Sequence, residues 1–307
     1  MKIIVTGGAG FIASHVVDAY IQRGHDVHIF DNFSTGQQSN INPKATLHTV
    51  DIADRKAADL IGAIKPDVLN HHAAQMDVRH SVADPMYDAS VNILGFVNLL
   101  EAARKCGVKK VLFASSGGAA YGEQDVFPAA ENHPTRPASP YGVSKRSGEL
   151  YLGYYQQAFG LPYVALRYAN VYGPRQSSKG EAGVVAIFIA QLIQGKSATI
   201  NGDGKQTRDY VFVGDVVRAN VAALDSAYVG PVNIGTGKET DVVTIYQELR
   251  DGLASSLQAI HGPGKTGEQR RSCLDAGLAR KVLGWEAQVP LAEGLRTTIS
   301  WWRESTP

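Results

Sequence analysis

The segment Thr6-Gly7-Gly8-Ala9-Gly10-Phe11-Ile12-Ala13-Ser14-His15 constrains this chain most, because it follows directly on the apolar run Lys2-Ile3-Ile4-Val5. Near-continuous Ile and Val, then glycines, then Phe11, Ile12, Val16 and Val17 at roughly helical spacing read as buried strand, tight turn and helix N-terminus. Gly7 and Gly10, lacking side chains, let backbone N–H groups approach a pyrophosphate, whose charge the unpaired amides and dipole of a helix start stabilise. The next apolar run, Val27-His28-Ile29-Phe30, ends at Asp31. That is about 20 residues past the turn, the interval at which a carboxylate accepts hydrogen bonds from an adenosine ribose. Asn32, Phe33, Ser34, Thr35 and Gly36 offer no cation for a 2′-phosphate, so the pattern points to NAD rather than NADP.

Strand-like runs recur at 2–5, 27–30, 46–50, 68–71, 110–114 and 163–166, and helical patterns fall between them at 16–23, 55–64, 92–106 and 140–158. Such alternation predicts an α/β fold with a doubly wound parallel (Rossmann) sheet, whose ligands bind beyond the carboxyl ends of the strands. After Asn170 the texture changes to loop-like Gly173-Pro174-Arg175-Gln176-Ser177-Ser178 and more mixed elements. We therefore expect a dinucleotide-binding domain over 1–169 and a smaller α/β substrate domain over 170–307, with later segments crossing back to the first.

At 307 residues the chain is long enough for a large core, and a net charge of +1 gives no general pull toward nucleic acid or an anionic membrane. The most apolar stretch, 184–193, is short of a bilayer span and contains Gln191. Cys106 and Cys273 lie far apart and lack metal-ligand spacing, so the expected setting is a reducing cytoplasm and no metal is expected.

Tyr141-Gly142-Val143-Ser144-Lys145 follows Ser139-Pro140, an N-cap with proline at the first helical position. Tyr141 and Lys145, four apart, share a helix face. A phenol is a poor base at neutral pH, but a fixed ammonium together with a positive nicotinamide ring favours tyrosinate. Tyr141 could then take a proton from a sugar or alcohol hydroxyl while hydride leaves the same carbon.

With that pair, the chain resembles the nucleotide-sugar branch of the extended short-chain dehydrogenase/reductase family, and nearer still its epimerases of UDP-hexoses. The resemblance is carried in family order by Gly7-Gly8-Ala9-Gly10-Phe11-Ile12, Asp31-Asn32, Asp51-Ile52, His72-Ala73-Ala74-Gln75, Asn92, Ser115-Ser116-Gly117-Gly118-Ala119-Ala120-Tyr121-Gly122, Tyr141 to Lys145, Leu166-Arg167-Tyr168-Ala169-Asn170-Val171-Tyr172-Gly173-Pro174, Gly202 to Tyr210 and Gly235-Thr236-Gly237. It implies that Phe11 and Ile12 hold the pyrophosphate, Asp31 the adenosine ribose, Asp51 and Ile52 the adenine side, Ala73 to Gln75 the middle of NAD, and Lys145 the nicotinamide ribose. It also sets Asn32, Ser34, Thr35, Gly36, His72, Asn92, Ser115, Tyr168 and Ala169 along the cofactor. On the substrate side it implies Ser116, Tyr141, Asn170, Val184, Val185, Asn201, Arg208, Lys265, Glu268 and Ser272, with Asn170 and Arg208 on the UDP diphosphate. A homodimer packed through the helices at 92–106 and 140–158 is implied as well.

Two positions depart from the family pattern. Its catalytic serine or threonine falls on Gly117, so Ser116, or else Ser115, is expected to supply the hydroxyl. Lys265 stands where the family has a diphosphate-binding arginine, so Arg270 or Arg271 is expected to share that grip. Related dehydratases and decarboxylases carry an acid within two residues of their Ser/Thr, and here Gly118-Ala119 has no ionisable group. What the resemblance then implies is NAD-dependent epimerisation at carbon 4 of a UDP-hexose; a decarboxylase, dehydratase, reductase or non-catalytic NAD-binding scaffold stays open as the alternative. At Ser272 the family places a bulky residue where N-acetylated sugars are restricted, so UDP-N-acetylhexosamines are expected to fit.

Overall fold

The computed structural model describes residues 1–179, 183–264 and 269–305. Seven parallel strands form the main sheet, in the spatial order Thr46–Thr49, Asp26–Asp31, Lys2–Thr6, Val68–His71, Lys110–Ser116, Tyr163–Tyr168 and Gly230–Ile234. Strand order reverses beside Lys2–Thr6, so the crevice opens where the glycine turn begins. Alternation along the first strand supplies both faces of the sheet: Ile3 and Val5 join the core beneath helices Phe11–Gln22 and Val213–Asp225, while Ile4 joins the core beneath Arg55–Ile64, Phe96–Cys106 and Pro140–Phe159.

The chain leaves this sheet at Tyr168 and enters a second sheet at Asn170, with only Ala169 between. There Thr207–Phe212 pairs in parallel with Asn170–Tyr172 and Arg271–Ser272, and antiparallel with Glu239–Asp241. Helices Val184–Ile193, Val242–Gly252 and Leu291–Ser305 pack a separate apolar cluster that contains Phe188, Ile245 and Leu295. Gly230–Ile234 then returns to the main sheet beside Tyr163–Tyr168.

Several boundaries differ from the sequence reading, each for a local reason. The first helix starts at Phe11 rather than 16, because Gly10 already takes the extended N-cap conformation. The expected strand 110–114 runs to Ser116, which then caps an unanticipated short helix, Gly117–Tyr121, by accepting a bond from Ala119 N. The helix expected from Asn92 carries a wide turn over Ser90–Gly95 before regular geometry resumes at Phe96. Such insertions recur at functional sites.

Candidate active site

The glycine turn is shaped for an anion. Gly7 sits at φ +69°, and a Cβ there would come within 2.8 Å of Ala73 N. No side chain caps the helix that begins at Phe11, whereas Ser139 caps the Tyr141 helix through Gly142 N. The first amides of the Phe11 helix therefore remain for a ligand. Asp31 is buried below the turn, accepting from Ala9 N at 2.9 Å and Phe33 N at 2.8 Å. Gly36 packs so closely on it that a Cβ would meet Asp31 Oδ1 at 2.7 Å. Asn32 donates to Asp51 Oδ2, Asp51 Oδ1 accepts from Ala53 N, and Ile52 lies buried beside them, with Ser34 and Thr35 exposed at the rim. An extended dinucleotide fits this row: amides at its phosphates, a carboxylate at one ribose and a mixed edge beyond.

Further along the crevice, Thr6 Oγ1 accepts from His72 N and Ala73 N, fixing the 72–75 segment on the first strand. Tyr168 Oη accepts from Asn220 and is hydrogen-bonded to His72 Nε2, and the other ring nitrogen, His72 Nδ1, is buried without a partner. Burial, then the Lys145 charge, pushes His72 down to about 3, which keeps it neutral. Asn92 clamps Gln75 by accepting from its N–H and donating to its carbonyl, while Gln75's own amide folds onto Asp77 and Asp88. Their side chains thus shape the loop that carries Ala73 and Ala74 rather than reaching across the cleft.

Tyr141 and Lys145 share one helix face as expected, with Lys145 Nζ 5.7 Å from the Tyr141 ring centroid. Lys145 is buried and donates to Ala114 O at 2.9 Å. Burial, opposed by Asp88, brings its amine down to about 8. Burial, then the charge of Asp88, raises Tyr141 above the usual tyrosine range.

The two serines part company here. Ser115 donates to Glu149 Oε1 at 2.7 Å inside a buried network in which Arg167 grips Glu149 at 2.8 and 2.6 Å. Ser116 accepts from Ala119 N, which leaves its own proton free. At Gly117 the Leu274 side chain fills the space a larger residue would take, its Cδ1 2.5 Å from where a Cβ would stand.

On the substrate side, Gly118 faces Ser272, whose Oγ would stand 3.4 Å from a Cβ at 118. Asn170 is exposed and Arg208 half-buried, with Arg208 donating to Thr207 O. Buried Asp209 steadies this corner by accepting from Thr236 N, Thr236 Oγ1, Gly237 N and Leu274 N. Asn201 ends strand Thr199–Asn201 and Val184 opens its helix, but Val185 is in the core, so its side chain is not at the surface of the cleft. Arg270 forks onto Asp203, and Arg271 pairs with Glu239 and lies over the Phe127 ring. Lys265 and Glu268 lie outside the described residues. Asp88 and Glu149 were not singled out from sequence, and Arg167 enters there only as part of the segment Leu166 to Pro174, without a role. Glu149 left a signal as the next step in the four-residue spacing of Tyr141 and Lys145.

Residues 3–235 match the NAD dependent epimerase/dehydratase family. A UDP-glucose 4-epimerase of Mycolicibacterium smegmatis is 44% identical, over 100% of both chains. The structure of the Thermotoga maritima UDP-glucose 4-epimerase with UDP-glucose superposes with a TM-score of 0.98 at 45% identity, over 100% of both chains. That of the Thermus thermophilus UDP-glucose 4-epimerase complex with NAD does so with a TM-score of 0.95 at 41% identity, again over 100% of both.

Proposed function

We propose that this chain, which belongs to the NAD dependent epimerase/dehydratase family, interconverts UDP-glucose and UDP-galactose by inverting carbon 4 through a transient 4-keto sugar. The observation that carries the reading is the Tyr141–Lys145 pair standing at the carboxyl ends of the parallel strands beside an uncapped glycine turn. NAD, when bound, supplies the acceptor that takes and returns the hydrogen of carbon 4, and a positive ring that adds to the Lys145 charge. Phe11 and Ile12 amides would hold its phosphates, Asp31 a ribose, and Asp51 and Ile52 the adenine side, and His72 Nδ1 is a buried polar atom without a partner.

Tyr141 Oη takes the proton of the C4 hydroxyl, and Ser116 Oγ, with a proton to give, steadies the sugar oxygen. Asn170 and Arg208 anchor the diphosphate, so binding energy sits on UDP while the hexose turns over. The 170–307 domain, with segments crossing back to the first, holds the nucleotide, and the 1–169 domain holds NAD and the reacting Tyr141 and Ser116. Gly118 and Ala119, where related dehydratases and decarboxylases carry their acid, offer no carboxylate to drive elimination or loss of carbon dioxide. The test is product identification by NMR after incubating purified protein with UDP-galactose and no added cofactor. UDP-glucose is the expected product, whereas a 4-keto-6-deoxy sugar would assign a dehydratase.

Two finer readings accompany this one. The small Ser272 side chain leaves room for an acetamido group, so UDP-N-acetylglucosamine should turn over too; complete inertness in the same assay would remove that range. Leu94, Val143, Leu150, Tyr151 and Tyr154, all exposed along the two long helices, are covered in a homodimer, and sedimentation should give twice the 32.9 kDa chain mass. A reducing cytoplasm suits the two free cysteines.

A further inference from the structure

Asp88 is fully buried on the short helix Pro85–Ala89. Its two oxygens receive three hydrogen bonds: Ser144 Oγ donates to Oδ2 at 2.5 Å, Asn92 Nδ2 to Oδ1 at 2.9 Å, and Gln75 Nε2 to Oδ1 at 3.2 Å. All three partners are neutral donors, a pattern that suits an acceptor-only carboxylate, and among the described residues no guanidinium pairs with it. Ser144 immediately precedes Lys145 and lies one turn after Tyr141, so the carboxylate abuts the stretch of helix that bears the reacting pair. The wide turn at Ser90–Gly95, which sets Asn92 against both Asp88 and Gln75, is what ties this carboxylate into place.

We propose that Asp88 is a positioning residue whose buried negative charge is the counter-ion that keeps Lys145 an ammonium beside Tyr141. This rests on the reading of Tyr141 as base and Lys145 as its cation. Lys145 is faced by groups from several elements. Its own helix offers Tyr141; strand Val68–His71 and its continuation offer His71 and His72, both held neutral by burial and by Lys145; strand Lys110–Ser116 offers the Phe113 ring and Ala114 O. Glu149, one turn on, is already bound by Arg167 and Arg146. Among the described residues this leaves Asp88 as the anion acting on the amine, and it opposes the lowering that burial imposes. The same charge disfavours the phenolate, so Asp88 holds the pair as ammonium and phenol until substrate and cofactor are in place.

The sign of the expected effect follows. Without the Asp88 charge the amine loses its proton at lower pH, and the phenol does so as well. In Asp88→Asn both limbs of the pH profile of kcat should therefore move to lower pH, the alkaline limb by about one unit. Ser144→Ala removes a hydrogen bond but keeps the charge, and its limbs should stay at the wild-type positions. Asp88→Ser is a second neutral variant in case the amide disturbs folding, which circular dichroism checks. Its limbs should shift as those of the amide do. A rate that falls equally at every pH in a folded neutral variant would overturn the proposal and leave Asp88 a structural residue. Tyr141→Phe separates the two levels: if it stays active, the underlying base assignment fails, whatever Asp88 does.

Discussion

The cofactor side and the sugar side of the cleft are built on opposite lines. Along the cofactor crevice nearly every polar group is tied to another before any ligand arrives: Asp31 to Ala9 and Phe33, Asn32 to Asp51, His72 to Thr6 and Tyr168, Gln75 to Asn92. Where the proposed function puts the sugar, Gly118 has no side chain and the facing Ser272 has a short one. A dinucleotide kept through many turnovers gains from a preorganised site, because the ordering cost is met on folding. A hexose that must present both faces gains from walls that do not grip it. Under the proposed function, the difference teaches that holding NAD and admitting the sugar fall to separate residues.

Four substitutions test that contrast. Tyr141→Phe removes the proton acceptor and should lower kcat by about 10²–10⁴-fold while NAD stays bound, read from the coupled assay and from cofactor absorbance. Glu149→Ala strands Arg167 in the interior behind Ser115 and should cost about 3–5 kcal/mol of stability by denaturant titration. Burial alone would raise the Glu149 carboxyl, but Arg167, Ser115 and Arg146 hold it below the usual range, so stability from this group is present above the ordinary glutamate pKa and lost as pH falls through the lowered one. Gly7→Ala forces a Cβ against Ala73 N at positive φ and should weaken NAD retention and stability together by about 1–3 kcal/mol, measured by cofactor release and melting. Ser272→Tyr should sharpen the contrast by filling the sugar side: UDP-N-acetylglucosamine turnover falls at least about tenfold relative to UDP-galactose. If both substrates fall alike, Ser272 is not the wall of the sugar pocket.

Much of the cofactor half was legible in the sequence because it is written in local patterns. Strand periodicity, the glycine turn, Asp31 and the Ser139-Pro140 helix start each depend on residues close together in the chain. Helix Arg55–Ile64 and strand Val68–His71 matched residue for residue. What escaped depends on distant parts meeting. The burial that raises the Tyr141 phenol comes from packing among several elements, and Asp88 acquires a role only when a wide helical turn brings it to Ser144. The choice between Ser115 and Ser116 likewise needed Glu149 and Arg167, which no short motif joins to either serine. The sugar side was least legible, since its key property is room, and room depends on Leu274 and Gln269 as much as on Gly117 and Gly118.

The central claim is that the hydrogen on carbon 4 leaves and returns within one closed site. Incubating the purified protein with UDP-galactose deuterated at carbon 4, in ordinary water, tests it directly by NMR of the product. Full retention of deuterium at carbon 4 of UDP-glucose is the predicted result; washout to solvent hydrogen would contradict the account.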